Sequence, residues 1–543
     1  MTLPDRRAER RARLRALEGG RFDLLVVGGG ITGAGVAREA ALRGLSCALV
    51  ERRDFAHGSS SRSTRLIHGG LRYLRQGDFR LVAESVRERQ NLLTMAPHLV
   101  KTLPFAFPVY RGDPDGLALL RLGLTLYDAF AGRSLAMRHR ALGAGALTSL
   151  VPFLARDGLL GGATYTDCRT DDARLTLTVA ASAAEAGAVV ANYAEVVAFE
   201  HDGAGRLVAA TVADALSGER MRVSAGRTLA AVGPWADGLR RLDAAGAPPL
   251  LQRTRGVHLC VPHERLPLDC AVIMRGRDGR LMFAVPTPGY TYMGTTDTEF
   301  DGDPDEAGIT PADAAYVLEA VSRTFPGTGI APADVVSAWA GVRPLVRPRG
   351  DRSPSAISRD YVLFPAPSGL VTVGGGKLTA FRAMASSIVD RLFPKTRGAA
   401  SASRSPLPGA GAPDDATVTQ VARRTGLPPE WARAWAEPYG AHFARLAPYI
   451  APPADGSGAA LAWFQAMTRY AAQYEMAQTL EDVLLRRTPV MLFTPQNGRA
   501  HYEALAREMA APLGWSPARA QAEAEACRRR VESMLAWRDG GQT

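Results

Sequence analysis

Residues 22–51, FDLLVVGGGITGAGVAREAALRGLSCALVE, decide how the rest of the chain is read. The apolar run Phe22 to Val27 enters a turn carrying Gly28, Gly30 and Gly33, small residues follow, and a second apolar run closes at Glu51. Strand, glycine turn, helix and strand in that order let backbone N–H groups approach a pyrophosphate at a helix N-terminus, where the macrodipole favours negative charge. An acid at the end of the second strand, about 20 residues past the glycines, is placed to accept hydrogen bonds from a ribose. Together these features predict dinucleotide binding, which a glycine pattern alone does not.

A chain of 543 residues with 46% hydrophobic content is too long for one core and predicts two or three domains. Its net charge of +11 is carried by arginine, with Lys101, Lys377 and Lys395 as the only lysines. That balance favours anionic substrates or lipid head groups, and no basic stripe interleaved with aromatics suggests nucleic acid. Five separated cysteines without a CxxC pair argue against a disulfide framework or a thiolate cluster and fit a reducing compartment. No run of 18 apolar residues is present, so no transmembrane helix is expected. Residues 1–20 form a basic extension without the apolar core of a secretory signal. It reads equally as a solvated, partly helical tail or as a leader lying against anionic lipid.

After Glu51 the segment RRDFAHGSSSRSTRLIHGGLRYL is a polar loop, with Ser60 and Ser61 able to line a cofactor and His68 and Arg72 beside it. Residues 78–96 have helical spacing, and LPFAFPVY reads as a strand entering a different domain. Leu117 to Phe130 is a nearly apolar helix, for which core packing is the first reading and a membrane-facing role the second. From Asp171 helix and strand return, and Val196 is placed to meet an adenine. Residues 251–300 alternate strongly and predict an antiparallel substrate domain, with His258 inside one strand. The acidic run DGDPDEAG (301–308) superficially resembles a calcium loop but lacks the glycine and glutamate that one needs, so no metal site is expected. Beyond Trp339, Arg343 and Arg359 stand near strand edges. LVTVGGGKLTAFRAMA then gives a second glycine loop with Lys377, where a cation can stabilise an anionic reduced ring. Two such loops far apart predict one large cofactor held at both ends. Residues 396–416 read as a linker, and 417–543 as a helical domain.

These motifs identify the chain as similar to a family. VVGGGITGAGVA, SSRSTRLIHGGLRYL, YTDCRTDDARL, AVGPWAD, MGTTDTEFDGDP, GVRPL, ISRDY and GGGKLTAFR resemble those of the FAD-dependent glycerol-3-phosphate dehydrogenases, respiratory enzymes that pass electrons to a quinone. The likeness runs from about Phe22 to Ala385 and resumes at YEMAQTLEDVLLRRT. Thr32 stands where asparagine is frequent, and Arg65 where some members carry lysine.

The resemblance implies an α/β fold, a Rossmann-like FAD-binding domain interleaved with an antiparallel-sheet substrate domain, plus a C-terminal all-α domain. Residues 21–395 form the oxidoreductase part, with FAD-binding segments at about 21–95, 165–245 and 340–395 and substrate segments at about 96–164 and 246–339. FAD is then held by Gly28, Gly30, Gly33, Glu51, Ser60, Ser61 and Val196 on one side and by Gly376, Lys377, Leu378 and Thr379 on the other. Arg72, Tyr73, Arg343 and Arg359 recognise the substrate's phosphate and hydroxyls, arginine forks being suited to phosphate. Among the catalytic candidates His258 is the first choice for the base and His68 the second, because imidazole titrates near working pH, with an arginine such as Arg343 third, while Lys377 stabilises the reduced flavin. The implied partners are glycerol 3-phosphate, a membrane quinone and the membrane surface, met peripherally from the cytoplasm, and a homodimer is compatible. Rival readings are an oxidase delivering electrons to oxygen, a flavin amine oxidase, and a non-catalytic flavin-binding redox module.

Overall fold

The computed structural model describes residues 6–70, 78–131, 138–347, 361–396, 404–453 and 458–539. Arg72, Tyr73 and Arg359 lie outside the described residues.

The opening segment folds as strand Arg21–Val27, helix Ile31–Leu42 and strand Cys47–Val50. The strands run parallel, with Leu24 opposite Cys47 and Val27 opposite Val50. Strand Arg220–Ala230 lies parallel on the other side of Arg21–Val27, and Val371–Gly374 and Val189–Ala191 extend the parallel set outward. Central parallel strands are covered on both faces, which is why Leu24 to Val27 is uninterrupted apolar sequence. Helices Ile31–Leu42, Asp172–Glu185 and Phe381–Leu392 cover one face through Ala34, Ala37, Val179 and Ile388. The antiparallel ribbon Ala194–His201 and Leu207–Asp214 covers the other through Val196 and Val212.

The described part of the N-terminal extension is packed against the protein. Helix Arg6–Gly19 buries Leu14 and Leu17 against Phe22, Leu25 and Val212. Arg10 bonds to Asp214 at 2.5 Å and to Asn192 at 3.3 Å, and Arg7 Nε donates to Leu513 O in the C-terminal region. Two leucines one turn apart supply the apolar face, and a buried carboxylate supplies the partner for a cation.

The second sheet has ten strands and is mainly antiparallel. Near one end of it, strand Leu251–Pro262 is flanked by Tyr290–Gly294 and by Ser337–Val346. The register sets His258 opposite both Gly294 and Trp339. Alternation sends Val257 and Leu259 toward helix Pro311–Thr324, where they meet Val317 and Val321, and turns His258 to the opposite face. This sheet takes in Leu66–Ile67 and the whole of Ser337–Val346, so it reaches into segments that the sequence assigns to the cofactor domain. The continuous ladder from Leu251–Val346 to Cys260–Ser337 is what draws the last of these strands in.

Helix Leu117–Ala131 divides its apolar residues between two environments. Leu120, Leu124 and Tyr127 are buried, whereas Leu119, Leu122, Leu126 and Phe130 are exposed. Within the described part of the linker Leu407 is buried and its N–H donates to Met95 O at 2.8 Å. The C-terminal helices enclose Trp435, Phe443 and Trp463. No described helix is long and apolar enough to cross a membrane.

Candidate active site

The first glycine turn is shaped by backbone contacts that exclude any side chain. Gly28 adopts φ +109°, and a Cβ there would lie 2.6 Å from Ala231 O; one at Gly33 would lie 1.9 Å from Gly28 O. Gly33 thus lets the helix start directly against the turn. Ile31 N–H, at the helix start, donates to Ser60 Oγ at 3.0 Å. Glu51 accepts from Gly29 N–H at 2.7 Å and Arg53 N–H at 2.9 Å. Burial pushes its carboxyl upward, and those two hydrogen bonds oppose the shift.

A cavity of about 970 Å³ is lined by both glycine turns, at the large end of the roughly 300–1,000 Å³ usual for cofactor and ligand sites. It brings together Gly28, Gly30, Glu51, Ser60 and Val196 with Gly376, Lys377, Leu378 and Thr379, and these with His68, His258 and Arg343. Gly33 lies beneath the turn and does not face the cavity. Ser61 does not face it either: its hydroxyl donates to Gly58 O at 3.4 Å. At the second turn Gly375 and Gly376 have φ +76° and +106°, and a Cβ on Gly376 would meet Met384 at 2.6 Å. Two turns that tolerate only glycine, a carboxylate at a strand end and one cavity joining them fit a long dinucleotide.

His258 is held from several sides. Its ring stacks on Trp339 with centroids 5.0 Å apart, and Nε2 lies 2.9 Å from Thr64 Oγ1. Nδ1 is buried without a hydrogen-bond partner among the described residues. Asp172 anchors the loop before Thr64, accepting from Ser63 N–H at 2.9 Å and Ser63 Oγ at 2.7 Å. Burial lowers the His258 pKa to about 3, and the positive charges of Arg343 and Arg65 add to that. The imidazole is therefore neutral at any working pH.

His68 is half-buried on the cavity wall and tilts against Phe283. Its position follows from its neighbour: Gly69 N–H donates to Tyr127 Oη at 2.8 Å, and a Cβ on Gly69 would strike that hydroxyl. Tyr127 donates in turn to Asp167 at 2.5 Å, which pairs with the buried Arg89.

Arg343 bonds to Thr296 O, Thr295 Oγ1 and Asp297 Oδ1, each at 3.0 Å. Gly256 on the adjacent strand makes room for it, since a Cβ there would lie 2.4 Å from its guanidinium. Asp297 also binds Arg280. Sequence reasoning missed both residues, although TTDTEF places Asp297 beside two threonines. Arg52 was missed too. It lies over Trp235, 4.6 Å from the ring centroid, and pairs with Asp305 at 2.6 Å, so the acidic run holds protein cations.

Residues 23–382 match the FAD dependent oxidoreductase family, and residues 400–520 match the C-terminal domain of alpha-glycerophosphate oxidase. The aerobic glycerol-3-phosphate dehydrogenase of Staphylococcus haemolyticus is 35% identical over 515 residues, 92% of each chain. That of Staphylococcus aureus (strain USA300) is 36% identical over 520 residues, 93% of each. The glycerol-3-phosphate dehydrogenase from Bacillus halodurans, solved complexed with FAD, superposes with a TM-score of 0.80 at 29% identity, covering 97% of this chain and 98% of that one. The L-alpha-glycerophosphate oxidase of Mycoplasma pneumoniae shares the fold, with a TM-score of 0.53 at 18% identity over 69% of this chain and 95% of that one.

Proposed function

The chain belongs to the FAD-dependent oxidoreductases, with the aerobic glycerol-3-phosphate dehydrogenases as its relatives, and from that membership we propose that it oxidises sn-glycerol 3-phosphate to dihydroxyacetone phosphate and passes the electrons to a membrane quinone. The observation that carries this reading is the single cavity in which two glycine turns, Lys377, Arg343 and two histidines converge.

Gly28, Gly30 and the start of helix Ile31–Leu42 hold the pyrophosphate of FAD, Glu51 the ribose, Val196 the adenine, and Gly376 to Thr379 the ring end. FAD held there would supply the ring that takes up the hydride from the substrate's secondary carbon. Lys377 places a cation where negative charge then accumulates. Arg343 presents a fork to the phosphate. Arg72, Tyr73 and Arg359 complete the set that the family motifs suggest.

The alcohol proton goes to an imidazole. A useful base has a proton affinity near working pH, which counts against His258. His258 is buried, its proton affinity is low and its Nε2 already contacts Thr64, so it serves to orient the loop and the alcohol. His68 is the more open to the cavity.

The exposed side of helix Leu117–Ala131 supports contact with a membrane. Leu119, Leu122, Leu126 and Phe130 follow one another at spacings of three and four, so they lie along one side of the helix. Apolar patches of that kind mark interaction surfaces, and a chain of charge +11 is drawn to anionic lipid. The protein then sits peripherally on the cytoplasmic side of the membrane.

Anaerobic addition of glycerol 3-phosphate to the purified, FAD-loaded protein tests the reading. Loss of the visible flavin absorbance, restored by a quinone analogue much faster than by air, is the expected result. Rapid reoxidation by air with stoichiometric hydrogen peroxide would instead make it an oxidase, and an unbleached flavin would remove the activity altogether.

A further inference from the structure

Arg280 stands at the head of strand Leu281–Thr287, just after the tight turn at Gly279. Its guanidinium shares a carboxylate with Arg343: Asp297 Oδ2 lies 2.7 Å from Arg280 Nη1, and Asp297 Oδ1 lies 3.0 Å from Arg343 Nη1. The Asp297 side chain is 1% exposed, whereas those of Arg280 and Arg343 keep 20% and 21%. Both arginines line the cavity and Asp297 does not. The carboxylate therefore sits behind and the two cations in front.

Asp278, 3.6 Å from Arg280 Nε, is half exposed to water and screened accordingly. Both guanidiniums reach the cavity on a wall that also carries the apolar side chains Ile273, Leu281 and Phe283. Such surroundings strengthen an electrostatic contact. A guanidinium has five N–H donors, so the pairing with Asp297 leaves others for a ligand. A phosphate monoester is close to a dianion at neutral pH, which matches two cations better than one.

We propose that Arg280 is a second phosphate-binding side chain of the substrate site, set side by side with Arg343 by Asp297 as a positioning residue. This rests on the reading of the substrate as a glycerol phosphate ester. Arg280 contributes binding that is the same in the ground state and during oxidation, because the phosphate does not react.

In the FAD-loaded full chain, Arg280→Ala is expected to raise KM for glycerol 3-phosphate about 10- to 100-fold, as loss of charge-assisted hydrogen bonds does. The value of kcat should stay within about threefold, the pattern of lost uniform binding. Arg280→Lys keeps the charge but not the fork and should fall between, at roughly 3- to 10-fold. A KM within about twofold of the parent in Arg280→Ala, or a fall in kcat and FAD content with KM unchanged, overturns the proposal. If Arg280→Ala does not hold FAD, Arg280→Lys and Arg280→Gln decide by the same KM criterion. Should the parent protein itself not be reduced by glycerol 3-phosphate, the substrate reading fails, and inorganic phosphate becomes the probe. Its dissociation constant, read from perturbation of the flavin spectrum, rises about tenfold in Arg280→Lys if Arg280 binds phosphate, and an unchanged constant overturns the proposal.

Discussion

Arg487 closes on both carboxylate oxygens of Asp54, with Nη1 2.6 Å from Oδ2 and Nη2 2.9 Å from Oδ1, across 433 positions of sequence. Arg486 adds a contact from Nε at 2.6 Å, and the side chains of Asp54 and Arg487 are both fully buried. Asp54 lies in the loop that follows Glu51, so the C-terminal helical domain pins the Glu51 end of the cavity. Removing one member of a buried ion pair leaves uncompensated charge and costs about 3–5 kcal/mol. Asp54→Ala is therefore expected to lower the melting temperature by several degrees and to reduce FAD content. Calorimetry of the loaded protein checks this, and an unchanged midpoint would show that the two domains are joined by other means.

The buried titrating groups set a pH dependence whose two parts act in different windows. Burial alone would raise the Asp54 carboxyl, but Arg487 and Arg486 outweigh it and hold the pKa at about 2. Its contribution is present above about pH 4, the unfolded value, and is lost as pH falls toward 2. His98 and His258 behave oppositely: burial first, then nearby cations, lower them to about 4 and about 3. Unfolded histidine takes up a proton near pH 6.5 while these folded ones do not, so stability starts to fall as pH drops below about 6.5. His98 is remote from the cavity and isolates the effect. His98→Gln is expected to remove about one proton from the uptake measured on unfolding at about pH 5, which calorimetry in buffers of different ionisation enthalpy reads directly.

The two histidines of the site should separate kinetically. His68→Asn is expected to lower kcat about 10²- to 10⁴-fold, the usual contribution of a general base. His258→Asn should cost less than about tenfold. Stopped-flow flavin reduction tests both, and a larger loss in His258→Asn than in His68→Asn would restore His258 as the base.

How much of this was legible follows from where each cause lies. The first glycine turn and Glu51 could be read because the constraint is local: Gly33 must be glycine on account of Gly28 O, only a few residues away. The second turn was readable for the same reason, with Gly376 pressed against Met384. Ser61 reads as lying along the cofactor with Ser60, yet of the two only Ser60 lines the cavity, because the Ser61 hydroxyl turns back onto Gly58 O. The arginines of the N-terminal helix read as solvated or lipid-bound, because the partner of Arg10, Asp214, is set by the sheet. Arg280 and Asp297 stand in different strands or loops from Arg343, and no periodicity reports that three such residues share one ion-pair network.

The acidic run that resembles a calcium loop acts instead as a strap across the cofactor cavity. Asp301, Gly302, Asp303 and Pro304 line the cavity, and Asp305 ties the run to the opposite domain through Arg52 at 2.6 Å and Arg53 at 3.5 Å. His57 lies 3.8 Å from the same carboxylate and carries no charge near neutral pH, because burial lowers its pKa to about 4. Arg52 also covers Trp235, so the strap fixes a cation and an aromatic wall beside Glu51. Asp305→Asn removes the charge but keeps the shape. It should weaken FAD binding about 3- to 10-fold, in line with a partly exposed ion pair, while the melting temperature of the FAD-free protein changes little. Titration of that protein with FAD, followed by quenching of flavin fluorescence, measures the first effect, and equal losses of FAD affinity and apoprotein stability would reduce the strap to an ordinary structural contact.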